Sequence, residues 1–159
     1  MAVAAVNISD TLVALAACLC EELNDPDLCF CGVLPGAQPY DAMGTGCTNH
    51  GQAWVRLASG FPSNRVGEPV TTVDNCDTGQ GYTVEVGILR KFPIQAQPLK
   101  SEVIIEHALA QIADMELMRK AISCCDALRP KDFILGGWNP IGPDGDVIGG
   151  TWTLTLGLL

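Results

Sequence analysis

The chain has 159 residues, of which 48% are apolar and only 17% charged, with a mean hydropathy of +0.25. That length and apolar share predict one domain over residues 1–159 with a real core and exclude a disordered chain; no apolar run reaches the roughly 18–20 residues of a membrane-spanning helix. Nine basic against 18 acidic residues give a net charge of −9, which argues against nucleic-acid binding because affinity for phosphates rests mostly on Lys and Arg.

The first basic residue is Arg56, after Asp10, Glu21, Glu22, Asp25, Asp27 and Asp41. Leu15-Ala16-Ala17-Cys18 looks like a lipoprotein cleavage box, but a secretory leader needs a positively charged start, and Asp10 interrupts the apolar segment. The expectation is a soluble globular protein without a leader.

In chain order, Ile8, Leu12, Leu15, Leu19 and Leu23 form one helical stripe. Asn7 or Ser9 can cap that helix, Asp10 suits its positive end, and Asp25-Pro26 stops it. This predicts an amphipathic helix over 9–23. Residues 24–51, with Pro26, Pro35, Pro39 and no periodic pattern, read as a long loop. Alternation around Ala53, Val55 and Leu57 predicts a strand over 52–60, and residues 61–80 read as irregular. Tyr82, Val84, Val86 and Ile88 mark a second strand.

A Pro-rich connection over 92–100 leads to a long helix that Ser101 can cap. Its expected buried face is Ile104, Ala108, Ile112, Met115, Met118, Ile122 and Cys125. Arg129-Pro130 breaks it. Phe133, Ile134 and Leu135 open a third strand, Pro143-Asp144-Gly145 has turn chemistry, and Thr151 to Leu156 alternate as a fourth. The predicted class is α+β: two helices packed on a largely antiparallel four-stranded sheet, element order αββαββ, with long Cys- and Pro-rich loops.

Eight cysteines are many for a chain of this size. Cys29-x-Cys31 and Cys47-x-x-His50 share the first long segment, and thiolates with an imidazole at such spacing can complete a tetrahedral zinc site. The C-x-C half is atypical for zinc. Disulfides joining Cys29 or Cys31 to Cys47 or Cys76 are the competing reading, and unpaired thiols a third. Cys18 and Cys20 lie two apart on a helix and cannot share a face, and Cys124-Cys125 is an adjacent pair; both pairs read as packing residues.

Catalytic chemistry is not indicated. His107 reads as a solvated flank of the long helix. Gly136-Gly137 and Gly149-Gly150 lack a following helix or a Lys-Ser/Thr pair, so no phosphate cradle is implied. Asp144-Gly145-Asp146 lacks the remaining ligands of a calcium loop. The expectation is a protein that is not an enzyme.

The order of elements resembles the tail-terminator and head-to-tail neck proteins of long-tailed bacteriophages. The resemblance is carried by the opening helix, the strand around Trp54-Val55-Arg56-Leu57, the strand Val84–Leu89, the long helix through Asp114-Met115 and the closing Pro143-Asp144-Gly145 … Gly149-Gly150-Thr151-Trp152 hairpin. In texture, Cys29-Phe30-Cys31-Gly32-Val33-Leu34-Pro35-Gly36 and that hairpin are most similar to such proteins from phages of actinobacteria. The likeness spans most of the chain as a pattern, without a short diagnostic motif. It implies a virion structural protein at the neck, assembled in the host cytoplasm, that forms a homo-oligomeric ring, a hexamer. Its partners would be the tail tube protein and the head–tail connector or stopper, with genomic DNA only passing through the lumen and no membrane contact. A tail terminator caps the tube and stops its growth; a head-closure protein instead retains DNA below the portal. A disulfide-stapled secreted binding domain is the distant alternative. The cysteine-rich segment departs from the plainest family members and would lock the neck covalently or through zinc.

Overall fold

The computed structural model describes residues 7–36, 51–65, 68–70, 79–93, 98–129 and 133–158. The elements in chain order are α1 (Ile8–Leu23), β1 (Leu28–Val33), β2 (Gly51–Arg65), β3 (Glu68–Pro69), β4 (Gln80–Lys91), α2 (Ser101–Ser123), β5 (Phe133–Asp144) and β6 (Val147–Leu158). The strands form a six-stranded sheet in the order β1-β2-β4-β6-β5, with the short β3 pairing β2 off that path. β1 runs parallel to β2, and every other pairing is antiparallel.

This corrects the four-stranded expectation. The sheet is mixed and has six strands, so among the described residues the chain is mainly β with two helices. β1 lies inside the segment 24–51 that reads as loop, and β2 runs on to Arg65, into the segment that reads as irregular. The physical reason is pairing. Leu28-Cys29-Phe30-Cys31-Gly32-Val33 has no alternating pattern, with intermediate exposure at most of its positions. What orders it is the parallel ladder to Gly51–Val55, extended by the Leu34 amide donating to the Val55 carbonyl at 3.0 Å. Parallel partners are distant in sequence and leave little local trace.

α1 starts where its chemistry allows. The Asn7 side chain accepts from the Ser9 amide at 3.0 Å, and Asn24 ends the helix in the left-handed region at φ 39°, its amide donating to the Cys20 carbonyl. Leu12, Leu15, Ala16, Leu19 and Leu23 are buried. They meet Ala53 and Val55 of β2, Val84, Val86 and Ile88 of β4, Trp152, Leu154 and Leu156 of β6, and Met118, Ala121 and Ile122 of α2 in one core. Both helices therefore cover a single sheet face. On the opposite face Gln52, Trp54 and Leu89 are also fully buried. Trp54 sits across from Gly87, where any Cβ would collide with the indole ring. At Gly149 a Cβ would run into the Ile88 carbonyl, so β4 and β6 meet there at a spacing that only glycine permits.

α2 begins at Ser101 with Lys100 as its cap residue and without a side-chain capping bond, so Ser101 does not play the capping role its type suggests. The expected buried face holds only in part. Met118, Ile122 and Cys125 are buried, whereas Ile104 is 48% and Ile112 53% exposed and Ala108 is exposed. The cause is where α1 lies. Cys18 bonds Cys125 and Glu22 pairs with Lys120, so α1 runs antiparallel to the second half of α2. Asp25, just past the end of α1, and Asp114 share Arg90. Beyond that level the first half of α2 has no helical neighbour among the described residues.

Candidate functional site: an assembly surface

The zinc and disulfide expectations are resolved only in part. Cys47, His50 and Cys76 lie outside the described residues. Cys29 and Cys31 both stand on β1, but Cys31 is in a disulfide with Cys20 of α1, with Cα atoms 5.8 Å apart. Cys29 is disulfide-bonded as well, with its Sγ 3.3 Å from the Gly51 carbonyl oxygen. Among the described residues no group of three or more His, Cys, Asp or Glu is arranged to hold a metal ion. Cys18 and Cys125 form a further disulfide, 107 residues apart in the chain, which corrects their reading as packing residues. The signal was weak, because Cys18 and Cys20 point to different partners: Cys18 to α2 and Cys20 to β1. Cys124 is free and exposed.

α1 is thus covalently tied to both of its neighbours. The same edge holds a charge cluster. Arg90 Nε and Nη2 donate to Asp114 Oδ2 and Oδ1 at 2.7 and 2.9 Å, and Nη1 donates to Asp25 Oδ2 at 2.6 Å. The Asp114 side chain is only 8% exposed, so this bidentate pair is largely out of water. Hydrogen bonding to Asp114 raises the Arg90 pKa against the opposing effect of burial. Burial alone would push the Asp25 carboxyl up, but the Asp27 amide and the Arg90 guanidinium together outweigh it and hold it below its ordinary value.

Among the described residues, the first half of α2 meets Phe92, just past β4, and the β5–β6 hairpin along one line. Phe92 and His107 meet edge-on with centroids 5.0 Å apart, Gln111 donates to the Ile141 and Gly149 carbonyls, and Trp152 Nε1 donates to the Met115 carbonyl at 3.0 Å. His107 is accordingly half-buried against Phe92 and not a solvated flank. The remaining surface of this half-helix is open and apolar: Ile104, Ile105, Leu109 and Ile112 are each about half or more exposed, Leu109 reaching 61%. A helix that is apolar on two faces is built to be covered on both. The sequence does carry this signal in the doubled pairs Ile104-Ile105, Ala108-Leu109 and Ile112-Ala113, which are too broad for a single stripe.

The sheet ends in two unlike strands. β1 and β5 are its two edges, and among the described residues no strand pairs with either outer side. Pro140 and Pro143 blunt the second half of β5, while its first half is free of proline and shows Ile134 at 52% exposure. Among the described residues Asp10, Glu21, Glu102, Glu106 and Asp144 are outside every ion pair, so part of the excess negative charge sits uncompensated on the two helices. No helix among the described residues is long and apolar enough to cross a membrane.

No protein-family model matches the sequence, and comparison with curated proteins finds no relative.

Proposed function

We propose that this chain is a virion structural protein, a tail terminator of a long-tailed bacteriophage that assembles as a ring on the last tier of the tail tube, ends its growth and presents a face to the head connector. The observation that carries this reading is that, among the described residues, one sheet ends in two unlike edge strands, parallel-paired β1 on one side and antiparallel-paired β5 on the other. Contact between unlike edges is heterologous, and a heterologous contact that closes on itself makes a ring. The net charge of −9 supports it, since like charge keeps passing DNA from sticking.

The test is electron microscopy of lysates from a phage in which this gene is stopped early. Overlong tails of uneven length beside filled, tailless heads are expected. Uniform tails beside heads that have lost their DNA would replace the terminator by a head-closure role. Normal particles would end both readings.

A further inference from the structure

The outer face of α2 contains a seam whose spacing alternates between three and four residues: Glu102, Ile105, Leu109, Ile112, Glu116 and Arg119. That is the a/d repeat of a coiled coil. All six side chains are exposed, on the side away from Met118, Ala121 and Ile122, which face the core. The seam is therefore distinct from the stripe that holds α2 to the body, and it has its own charge order: acidic at the first position, aliphatic at the next three, then acidic and basic.

We propose that this seam is an isologous interface with a second copy of the same chain, the two α2 helices packing antiparallel about a two-fold axis between Ala110 and Gln111. The charge order selects this arrangement. Antiparallel layers set Glu102 against the second copy's Arg119, Ile105 against the stem of its Glu116, and Leu109 against its Ile112, each repeated by the symmetry. A parallel pairing would stack Glu102 on Glu102, Glu116 on Glu116 and Arg119 on Arg119, and like charges in opposed positions destabilise such pairs. Arg119 is available for the contact: its bond to Glu116 is an i,i+3 surface pair at 3.0 Å with both side chains more than half exposed, the weakest kind of ion pair. The first half of α2 also extends past the end of α1, so a second helix can approach it without meeting the first.

This contact is two-fold and does not rest on the ring, whose contacts join unlike edges. It describes how two free chains, or two rings face to face, cover the seam. Because a two-helix contact is small beside a standard interface, association depends on concentration.

Light scattering across a concentration series tests it. The purified chain is expected to move from monomer to dimer mass, and Leu109→Glu to remain monomeric with an unchanged unfolding temperature. Glu102→Arg alone and Arg119→Glu alone should each weaken association about tenfold, and the two together should restore it, since the swap rebuilds the same layer. In a Cys124→Ser background, Leu109→Cys should be cross-linked to its own copy by a short bis-maleimide that leaves the Cys124→Ser chain alone uncross-linked, the two positions lying about 4.5 Å apart along the helix. A wild-type chain that is monomeric throughout, a larger assembly indifferent to Leu109→Glu, a charge swap without rescue, or no cross-link at Leu109→Cys would each overturn the two-fold seam. None of these outcomes bears on tail length, so the terminator reading stands or falls separately.

Discussion

The two halves of α2 are one continuous helix with opposite lives. From Asp114 onward it is packed against α1, tied through Cys125 to Cys18, and closed by Arg90 bridging Asp114 to Asp25. Before Asp114 it meets the described part of the body through His107 and Gln111 and turns Ile105, Leu109 and Ile112 to the outside. The difference does not come from helix propensity, because Ile, Leu, Ala and Glu occur on both sides. It comes from what lies beside each half. Where a neighbour exists, Met118, Ala121 and Ile122 are core; where the described residues supply none, the same residue types stay exposed.

The largest expected effect breaks the covalent side of that contrast. Replacing Cys18 and Cys125 by alanine opens a cross-link spanning 107 residues of sequence, and on the chain-entropy account this costs about 4 kcal/mol. Denaturant titration of the double variant measures it, with Cys20–Cys31 left in place. A loss below about 1 kcal/mol would show that packing alone holds α1 to α2.

Next in size is a matched pair of substitutions. Ile122→Ala, in the core with no exposed surface, should cost about 3 kcal/mol through lost contacts and the cavity left behind. Ile112→Ala, 53% exposed, should cost under about 0.5 kcal/mol when measured at dilutions where the chain is monomeric. Equal losses would mean that the outer face is already buried within one chain. Arg90→Ala then removes the partner of a nearly buried carboxylate. We expect about 2 kcal/mol, less than for a fully buried pair because the Arg90 side chain keeps 26% of its exposure.

How much of this was legible in the sequence follows the range of the interactions. α1 was readable because Leu12, Leu15, Leu19 and Leu23 repeat within one helix and Asn7 caps it locally. β4 and β6 were readable because they alternate over a hairpin-like sheet face. β1 was not, since Leu28–Val33 owes its order to Gly51–Val55 across a parallel ladder. The disulfides were illegible for the same reason: Cys20 and Cys31 are joined by the docking of α1 on β1, which spacing does not report. For α2, periodicity found a helix, but it assigned Ile104, Ala108 and Ile112 to the core because apolar spacing cannot say whether the covering surface belongs to the same chain.

The smallest effect sharpens the contrast at the hinge between the two halves, where Arg90 serves two carboxylates. Asp25 is held below its ordinary value of 3.8 in the folded chain, so folding is favoured by its ionised form. The stability it contributes is complete above 3.8 and is lost as pH falls through the lower folded value, because below both values the proton binds either state alike. In an acid titration of unfolding, Asp25→Asn should therefore start less stable at neutral pH and lose less between pH 3.8 and the acid limit than the native chain. Identical acid limbs for the two proteins would mean that Arg90 stabilises Asp114 alone, and that the end of α1 is held to the sheet by Cys20–Cys31 and apolar packing without help from charge.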